Sequence, residues 1–563
     1  MRVRAPANLI VLCGYVAVSL GYFGRPLLHH PGRILIGTGR DPELFVWAFA
    51  WWPHAIGSWT NPFVSHAVYA PAGIDLAWTT SVPGLALAFS PLTILFGPDV
   101  SLNVAALLMP ALTAWTAYLL CRHLTRSVWA SIFGGYLFGF SSYILGHQVG
   151  GHLNLTGVFL VPLVALAVIR YLEGELDNRG LAIRLGVLLA LQLSISTEVA
   201  TTLTVFMAFG LVLAYGFLRA ERPRLLSSLR PILAGYGLGA IFAAPLVYYT
   251  VRGFVPQSFG DPPFFSTDLL NFVIPTQATG VAGEHFAKLT FKFPGNNDER
   301  GAYLGLPLLL IVGAYAVRQR RAPKTWFLVV SLLLSALFAL GTALRVEGRR
   351  IVALPWALSS HVPGLDDALP DRFALFVSLV AAVIAALWIA STKGWIYPRP
   401  YLLPLIAVAA LVPAVWHPYY YSHPERWAFF TDGSYKCIPP NETLAIFPYG
   451  FWGDSMLWQA ETGFRFRMAE GYLRYTPPAS YLADPTAYKL TYLFANPADR
   501  PDPAELLAFA KRMHVDRILS VVSHTYPDGP QMHSFGVLQS TGGMLIAPAC
   551  GHTSLAGDTR GNG

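Results

Sequence analysis

The sequence predicts an all-α polytopic membrane protein with a small α/β domain at its C-terminal end, and three observations carry that reading. Of its 563 residues 54% are hydrophobic and only 12% charged, and the mean hydropathy is +0.47. Apolar runs recur through about the first 415 positions, as in a chain that crosses a bilayer repeatedly. Segments such as Val158 to Ile169 and Phe373 to Ala390 are apolar all round, so they lack the polar face that a helix in a soluble domain turns to water.

In chain order, Met1-Arg-Val-Arg-Ala precedes an apolar run from Leu9 to Phe23. No small-residue cleavage site follows, since the chain runs on into Gly-Arg-Pro-Leu-Leu-His-His. We read an uncleaved first helix with its basic end in the cytoplasm. A first outer loop, 25–80, comes next. Further spans are expected at 101–121, 128–146, 153–172, 181–198, 199–218, 231–250, 301–317, 325–341, 372–391 and 401–416. Residues 82–97 are apolar but short and contain Pro83 and Pro91. Counted as a crossing, they would put the basic loops Arg122–Arg126, Arg219–Arg230 and Arg318–Lys324 outside, against the positive-inside tendency. A re-entrant or juxtamembrane segment keeps those loops inside, and such backbone is tolerated where protein or a cavity covers it. The parity is then about 11 transmembrane helices, N-terminus in and C-terminus out.

After about Trp416 the composition turns to soluble-domain proportions. Asn441 to Pro448 reads as a strand, Asp502 to Met513 as an amphipathic helix opened by Asp-Pro, and Val515 to Val522 as a second strand. The expected organisation is a transmembrane domain over 1–416 and a small extracytoplasmic α/β domain over 417–563. Cys13 and Cys121 fall in or at the end of spans, whereas Cys437 and Cys550 lie near the two ends of the outer domain and are expected to pair as a disulfide. The tail Gly551–Gly563 reads as disordered.

The chain holds no Gly-rich phosphate loop, no CxxC pair and no His-Glu-x-x-His, which argues against ATP-driven chemistry on it. Its formal charge of +8 is placed in the inner loops, where it suits anchoring to the cytoplasmic leaflet rather than nucleic-acid binding.

The polar residues of chemical variety collect on the expected outer face. Asp41-Pro42-Glu43 follows the first span, with Trp47, Trp51, Trp52 and His54 behind it. Those aromatics suit the bilayer interface, and Asp41, together with Glu43, is the candidate catalytic group, although the same three residues also suit a plain helix start. His147 and His152 are five apart, off a single helix face, with Gly146, Gly150 and Gly151 indicating a turn that leads to Asn154. A phosphate or sugar contact, a plain loop and a metal site are all open to them, the first two preferred. Glu198 stands between two apolar runs, where an ionisable side chain needs a partner or water. Arg372, in Leu-Pro-Asp-Arg-Phe, sits at the outer end of a long apolar span, where a guanidinium suits a lipid-linked phosphate.

Taken together, the first loop with Asp-Pro and aromatics, the short basic inner loops, the Gly-His-x-x-x-x-His-Leu-Asn turn, Glu299-Arg-Gly-Ala-Tyr-Leu-Gly305, Leu-Pro-Asp-Arg-Phe373 and the outer C-terminal region resemble bacterial integral-membrane glycosyltransferases of the GT-C superfamily. The resemblance covers most of the chain. It implies transfer of a sugar from a polyprenyl-phosphate donor to a glycan, lipid or protein acceptor at the outer face of the bacterial inner membrane, with inversion. Asp41 matches the acidic residue of the family's first loop and would act as general base. The family's acids are often adjacent, whereas here Pro42 separates Asp41 from Glu43. Arg372, His152 and His54 fall to the phosphate side and Glu198 to sugar or acceptor. No cofactor is required by the resemblance, and a divalent metal is left open. Two other classes fit the same features: a polytopic transporter or flippase, and a non-catalytic assembly factor for envelope polysaccharide.

Overall fold

The computed structural model describes residues 5–254, 260–361, 368–391, 399–415, 420–474, 476–492, 499–521, 539–541 and 544–546. Among the described residues eight helical segments are long and apolar enough to cross a membrane: Ala7–Gly24, Pro98–Thr125, Val128–Val149, Leu153–Leu172, Asn178–Ile195, Thr197–Phe217, Arg219–Phe242 and Pro370–Ser391. This is a multi-pass helical membrane protein. Three shorter apolar helices, Gly305–Arg318, Pro323–Ala339 and Tyr401–Ala410, stand where the sequence places its other spans.

The segment 82–97 folds as two short helices, Pro83–Ala88 and Ser90–Phe96. Each is about 10 Å long, far less than the roughly 30 Å of a hydrocarbon core. A difference from expectation is at 231–250. The helix begins at Arg222 and ends at Phe242, and a separate helix runs from Ala244 to Arg252. Pro223 opens the longer helix at a position where its missing N–H costs nothing.

The chain divides into two compact units. The first comprises residues 1–39, 103–247 and 258–422, the second 40–102, 248–257 and 423–563. In the first, the helix Ala374–Ser391 is buried over nearly its whole length and packs against Val128–Gly139, Gly305–Arg318 and Pro323–Ala339. Small residues permit that approach: Ala381, Ala382, Ala385 and Ala386 are all buried, and a Cβ at Gly134 would stand 2.7 Å from the Cys121 sulfur and 3.0 Å from the Ala386 Cβ. Close small-residue contact of this kind is what holds helices together where lipid competes for apolar surface. Helix starts carry their own signals. The Asp177 carboxylate accepts from the Gly180 N–H at 2.8 Å, and the Ser196 hydroxyl from the Val199 N–H at 3.3 Å, each satisfying a donor the helix cannot.

In the second unit the helix Asp41–Gly57 packs on Ser455–Glu461. The Trp47 indole donates to Gln459 at 2.6 Å, and the Gln459 amide donates in turn to the Ala67 and Phe466 carbonyls. Beside them lies a five-stranded sheet in the order Gln539–Thr541, Met544–Ile546, Arg517–Val521, Thr443–Phe447, Arg467–Met468. Thr443–Phe447 runs parallel to both neighbours, and all five of its residues are buried, as expected of a central parallel strand. The helix Pro503–Arg512 is opened by a capping box between Asp502 and Glu505. Cys437 is disulfide-bonded and Cys13 and Cys121 are free thiols. Cys550 and the tail 551–563 lie outside the described residues.

Candidate functional site

The first unit gathers ionisable side chains from four separate segments. His147 sits in the last turn of the helix Ser142–Val149. Gly151, at φ +68°, turns the chain back, so that the His152 ring returns to His147 with the two Nδ1 atoms 3.0 Å apart. The approach of a second segment depends on glycine. A Cβ at Gly146 would lie 2.5 Å from the Asp298 carbonyl oxygen, and one at Gly301 would lie 2.8 Å from the Tyr143 Cα. That segment delivers Glu299, whose Oε2 and Oε1 stand 3.8 Å from His147 Nδ1 and His152 Nδ1.

Arg372 arrives on the turn Pro370–Phe373 that opens the long buried helix. Its Nε donates to Glu198 at 2.8 Å, its Nη2 to Glu299 at 3.1 Å, and its Nη1 to Asp371 at 3.2 Å and to the other Glu299 oxygen. Glu198 lies in the first turn of Thr197–Phe217. The cluster is thus one guanidinium among three carboxylates, with two imidazoles beside it. Arg372, Asp371, Glu299 and His147 are buried, while the Glu198 side chain is 38% exposed. With the imidazoles neutral and all three carboxylates ionised its formal charge would be about −2, a costly excess in a low-dielectric setting. The Asp371 Oδ2 and the Tyr143 hydroxyl are also buried without a partner.

These features bear on a metal. His147, His152 and Glu299 offer ligand atoms within 4.8 Å of one another. The 3.0 Å Nδ1–Nδ1 separation is near the edge of about 3.3 Å that two bonds of roughly 2.0 Å make at a tetrahedral centre. Imidazole nitrogen and carboxylate oxygen suit zinc and similar divalent ions, and the negative excess is of the sign a cation relieves. The residues present fit a divalent cation.

In the second unit Asp41 is the first residue of its helix, where the helix dipole favours a carboxylate. It is half-buried and accepts from the Tyr472 hydroxyl at 2.5 Å. Glu43 turns the other way, into the protein. It receives the Arg40 guanidinium at 2.9 Å, and Arg40 also pairs with Asp454 and donates to the Trp452 carbonyl at 3.2 Å. Burial raises the Glu43 carboxyl to about 7, the neighbouring Arg40 offsetting part of the effect. His54 is partly exposed, its ring tilted against Phe464 at 4.7 Å and Trp51 at 6.2 Å; its partial burial lowers its pKa. Thirteen residues of helix separate it from Asp41, about 20 Å.

The structure therefore brings His147, His152, Glu198 and Arg372 together and leaves Asp41, Glu43 and His54 in the other unit, with Asp41 and His54 at opposite ends of one helix. Asn154 is buried on the turn Leu153–Thr156, and among the described residues no hydrogen bond ties its side chain to the cluster. Sequence reasoning assigned no role to Glu299, Asp371 or Tyr472. The first two stand inside stretches already singled out, Glu299–Gly305 and Leu369–Phe373. Tyr472 is 431 positions from Asp41, and nothing local marks it.

A family model described as a domain of unknown function, DUF6311, matches residues 11–412. The chain belongs to the DUF6311 family. No curated protein matches this family member in sequence. Its fold is similar to that of the oligosaccharyltransferase of Archaeoglobus fulgidus, with a TM-score of 0.53 and 14% identity over 95% of this chain and 71% of that one. The same archaeal protein, in complex with an inhibitory peptide and a dolichol-phosphate, matches with a TM-score of 0.51 and 13% identity over 97% of this chain and 75% of that one. The arabinofuranosyltransferase AftD from Mycobacteria gives 0.54 and 15%, over 92% of this chain and 35% of that one. These are GT-C glycosyltransferases, and the fold of this DUF6311 protein is theirs.

Proposed function

We propose that this protein transfers a sugar from a polyprenyl-phosphate donor to an acceptor on the extracytoplasmic face of the bacterial inner membrane, with inversion at the anomeric carbon. The observation that carries the reading is the cluster of Arg372, Glu299, Asp371, Glu198, His147 and His152, most of it buried, in a bundle of apolar helices. Ionisable side chains are expensive at membrane depth and mark function there. The archaeal fold neighbour binds a dolichol-phosphate and has also been solved with zinc and sulfate, and AftD is a sugar transferase; a lipid-linked donor here agrees with them.

In the reaction the acceptor hydroxyl oxygen bonds to the anomeric carbon from the face opposite the phosphate. The carbon–oxygen bond to phosphate breaks, its electron pair leaving with the polyprenyl phosphate, and the hydroxyl proton passes to a carboxylate. We assign that general base to Asp41, with the Tyr472 hydroxyl fixing its orientation. Glu43, held by Arg40, positions the start of the same helix. On the phosphate side, Arg372 uses four N–H groups on carboxylates and keeps one of its five for a phosphate oxygen. A departing phosphate next to a cluster in which carboxylates outnumber the guanidinium needs further positive charge. His147, His152 and Glu299 would hold the divalent cation that supplies it, the chemistry being neutralisation of the leaving group. Glu198, the most exposed of the three carboxylates, is assigned to sugar or acceptor.

The accompanying topology is eleven crossings with the N-terminus cytoplasmic, a membrane domain over 1–416 with its outer loop 25–80, and an extracytoplasmic domain over 417–563 closed by a Cys437–Cys550 disulfide. The deciding experiment measures radiolabel transfer from a panel of polyprenyl-phosphate sugars into lipid, glycan and protein fractions, in membranes carrying wild type or Asp41→Asn. Transfer from one donor that Asp41→Asn abolishes establishes the reading and names the sugar. Equal signals from wild type and a well-folded variant across the panel would overturn it in favour of transport or assembly.

A further inference from the structure

A second feature of the first unit lies away from the charge cluster. Where the helices Val161–Leu172, Asn178–Ile195 and Arg222–Phe242 meet, a cavity of about 580 Å³ opens, within the roughly 300–1,000 Å³ of small-molecule sites. About half of its wall is polar, with Tyr171, Asp177, Asn178, Arg179, Arg224 and Ser227 in it.

The wall is organised. The Tyr171 hydroxyl donates to Asn178 Oδ1 at 2.7 Å and lies 3.1 Å from the Ser227 hydroxyl. Arg224 Nη1 donates to the Leu172 carbonyl at 2.6 Å, and Gly174, at φ +82°, leaves room for that guanidinium: a Cβ there would stand 3.3 Å from Nη2. The acids nearby are already engaged. Asp177 caps its helix through the Gly180 N–H, Glu173 meets His123 at 2.6 Å, and Glu175 meets Arg170 at 2.9 Å. The cations are not: Arg179 makes no hydrogen bond or ion pair among the described residues, and Arg224 uses one donor of five. An anion is the ligand for which such a wall is complementary.

The same helices say what the anion is attached to. Beyond the cavity Arg222–Phe242 exposes Leu226, Leu229 and Leu233, and Asn178–Ile195 exposes Ile183 and Val187. A cavity that carries two arginines and is bordered by exposed aliphatic stripes matches an amphipathic molecule, phosphate at one end and hydrocarbon at the other.

We propose that this cavity binds the headgroup of an anionic phospholipid, its phosphate taken by Arg179 and Arg224, its polar groups by Asn178 and Ser227, and its acyl chains laid along the exposed leucines. Which leaflet supplies the lipid rests on the orientation given above; the cavity's chemistry does not.

The test uses the purified full-length protein in detergent, titrated with phosphatidylglycerol or phosphatidylcholine of identical acyl chains and read by native mass spectrometry. Wild type should retain phosphatidylglycerol over phosphatidylcholine by roughly tenfold or more, given two basic side chains at the headgroup. Arg179→Gln with Arg224→Gln should lower it to the phosphatidylcholine level, while Arg320→Gln, in another basic connector, keeps it. If the double variant fails to fold, Arg179→Gln alone, whose side chain holds nothing in the fold, gives the same reading. Equal retention of the two lipids by wild type, or unchanged preference in the folded variants, would overturn the proposal. So would displacement by free glycerol 3-phosphate as effective as by phosphatidylglycerol, which would assign the cavity to a soluble phosphate. Binding in detergent needs neither sugar transfer nor a particular orientation, so failure here leaves the proposed reaction standing.

Discussion

Glu198 and Glu299 both hold Arg372, and burial ranks them. The Glu198 side chain is 38% exposed and makes one contact, to Nε at 2.8 Å. The Glu299 side chain is 5% exposed, takes both terminal nitrogens of the guanidinium and faces two imidazoles. Water reaches the Glu198 carboxylate though not Arg372, and a pair screened in this way contributes about 1 kcal/mol or less. Removing one partner of a buried pair costs about 3–5 kcal/mol. Asp371 remains on Arg372 in either variant, which pulls the Glu299 figure toward about 3 kcal/mol. We therefore expect Glu198→Gln to cost no more than about 1 kcal/mol and Glu299→Gln about 3. Reversible SDS unfolding in mixed micelles measures both, and Arg372→Gln completes a double-mutant cycle with each acid. The coupling energy should be several-fold larger for Glu299 than for Glu198. A Glu198→Gln variant at least as destabilised as Glu299→Gln would refute the ranking, and with it the claim that the buried face of the cluster is what the guanidinium supports.

Three further outcomes follow from named contacts. Tyr472→Phe removes the 2.5 Å hydrogen bond to Asp41; with a donor to a charged group worth about 1.5–3 kcal/mol, transfer should fall about ten- to hundredfold while the unfolding midpoint moves little, and an unchanged rate would remove Tyr472 from the site. Glu470 is buried, with one oxygen accepting from the Ile446 N–H at 3.0 Å and the other unpartnered, and burial raises its carboxyl from 4.5 to about 8. The folded chain then keeps a proton that the unfolded chain has lost, so stability should fall as pH rises from 4.5 to about 8, and Glu470→Gln should flatten that slope and gain a few kcal/mol at pH 8, on the order of 1.4 per unit; identical slopes in variant and wild type would refute it. Membranes lysed with alkylating agent should leave Cys13 labelled and Cys437 and Cys550 unlabelled, as mass spectrometry can read, and labelling of both outer cysteines would dismiss the proposed pair.

The spans were legible because a helix that is apolar all round has one economical environment, and Phe373 to Ala390 is such a helix. The ends of elements were less so. At 219–230 the arginines read as a loop, yet Pro223 starts a helix there, since a basic first turn can sit at the interface with its guanidiniums in water. The residues of the cluster were visible one by one: Glu198, His147, His152 and Arg372 each stand where a polar side chain in apolar sequence calls for a partner. Their partnership was not visible, because Glu198 and Arg372 are 174 positions apart and only packing brings them together. The glycines that make it feasible, Gly146 and Gly301, act through a backbone contact between distant segments, for which local sequence has no signature.

The same distinction explains Asp41 and Glu43. Two residues apart near a helix start, they read as a pair of acids with one role, yet at 100° per residue they point in different directions. Asp41 meets a hydroxyl from a loop and stays half-exposed; Glu43 is buried against Arg40, which bridges on to Asp454. An acid held at 2.9 Å by a guanidinium, as Glu43 is by Arg40, is poorly placed to accept a proton from an acceptor sugar, whereas Asp41 is half-exposed and accepts a hydroxyl hydrogen bond from Tyr472. Pro42 is therefore no defect in an acidic pair. It fixes the first turn, from which Asp41 stays half-exposed, as the general base of the proposed reaction must, and Glu43 turns inward to Arg40.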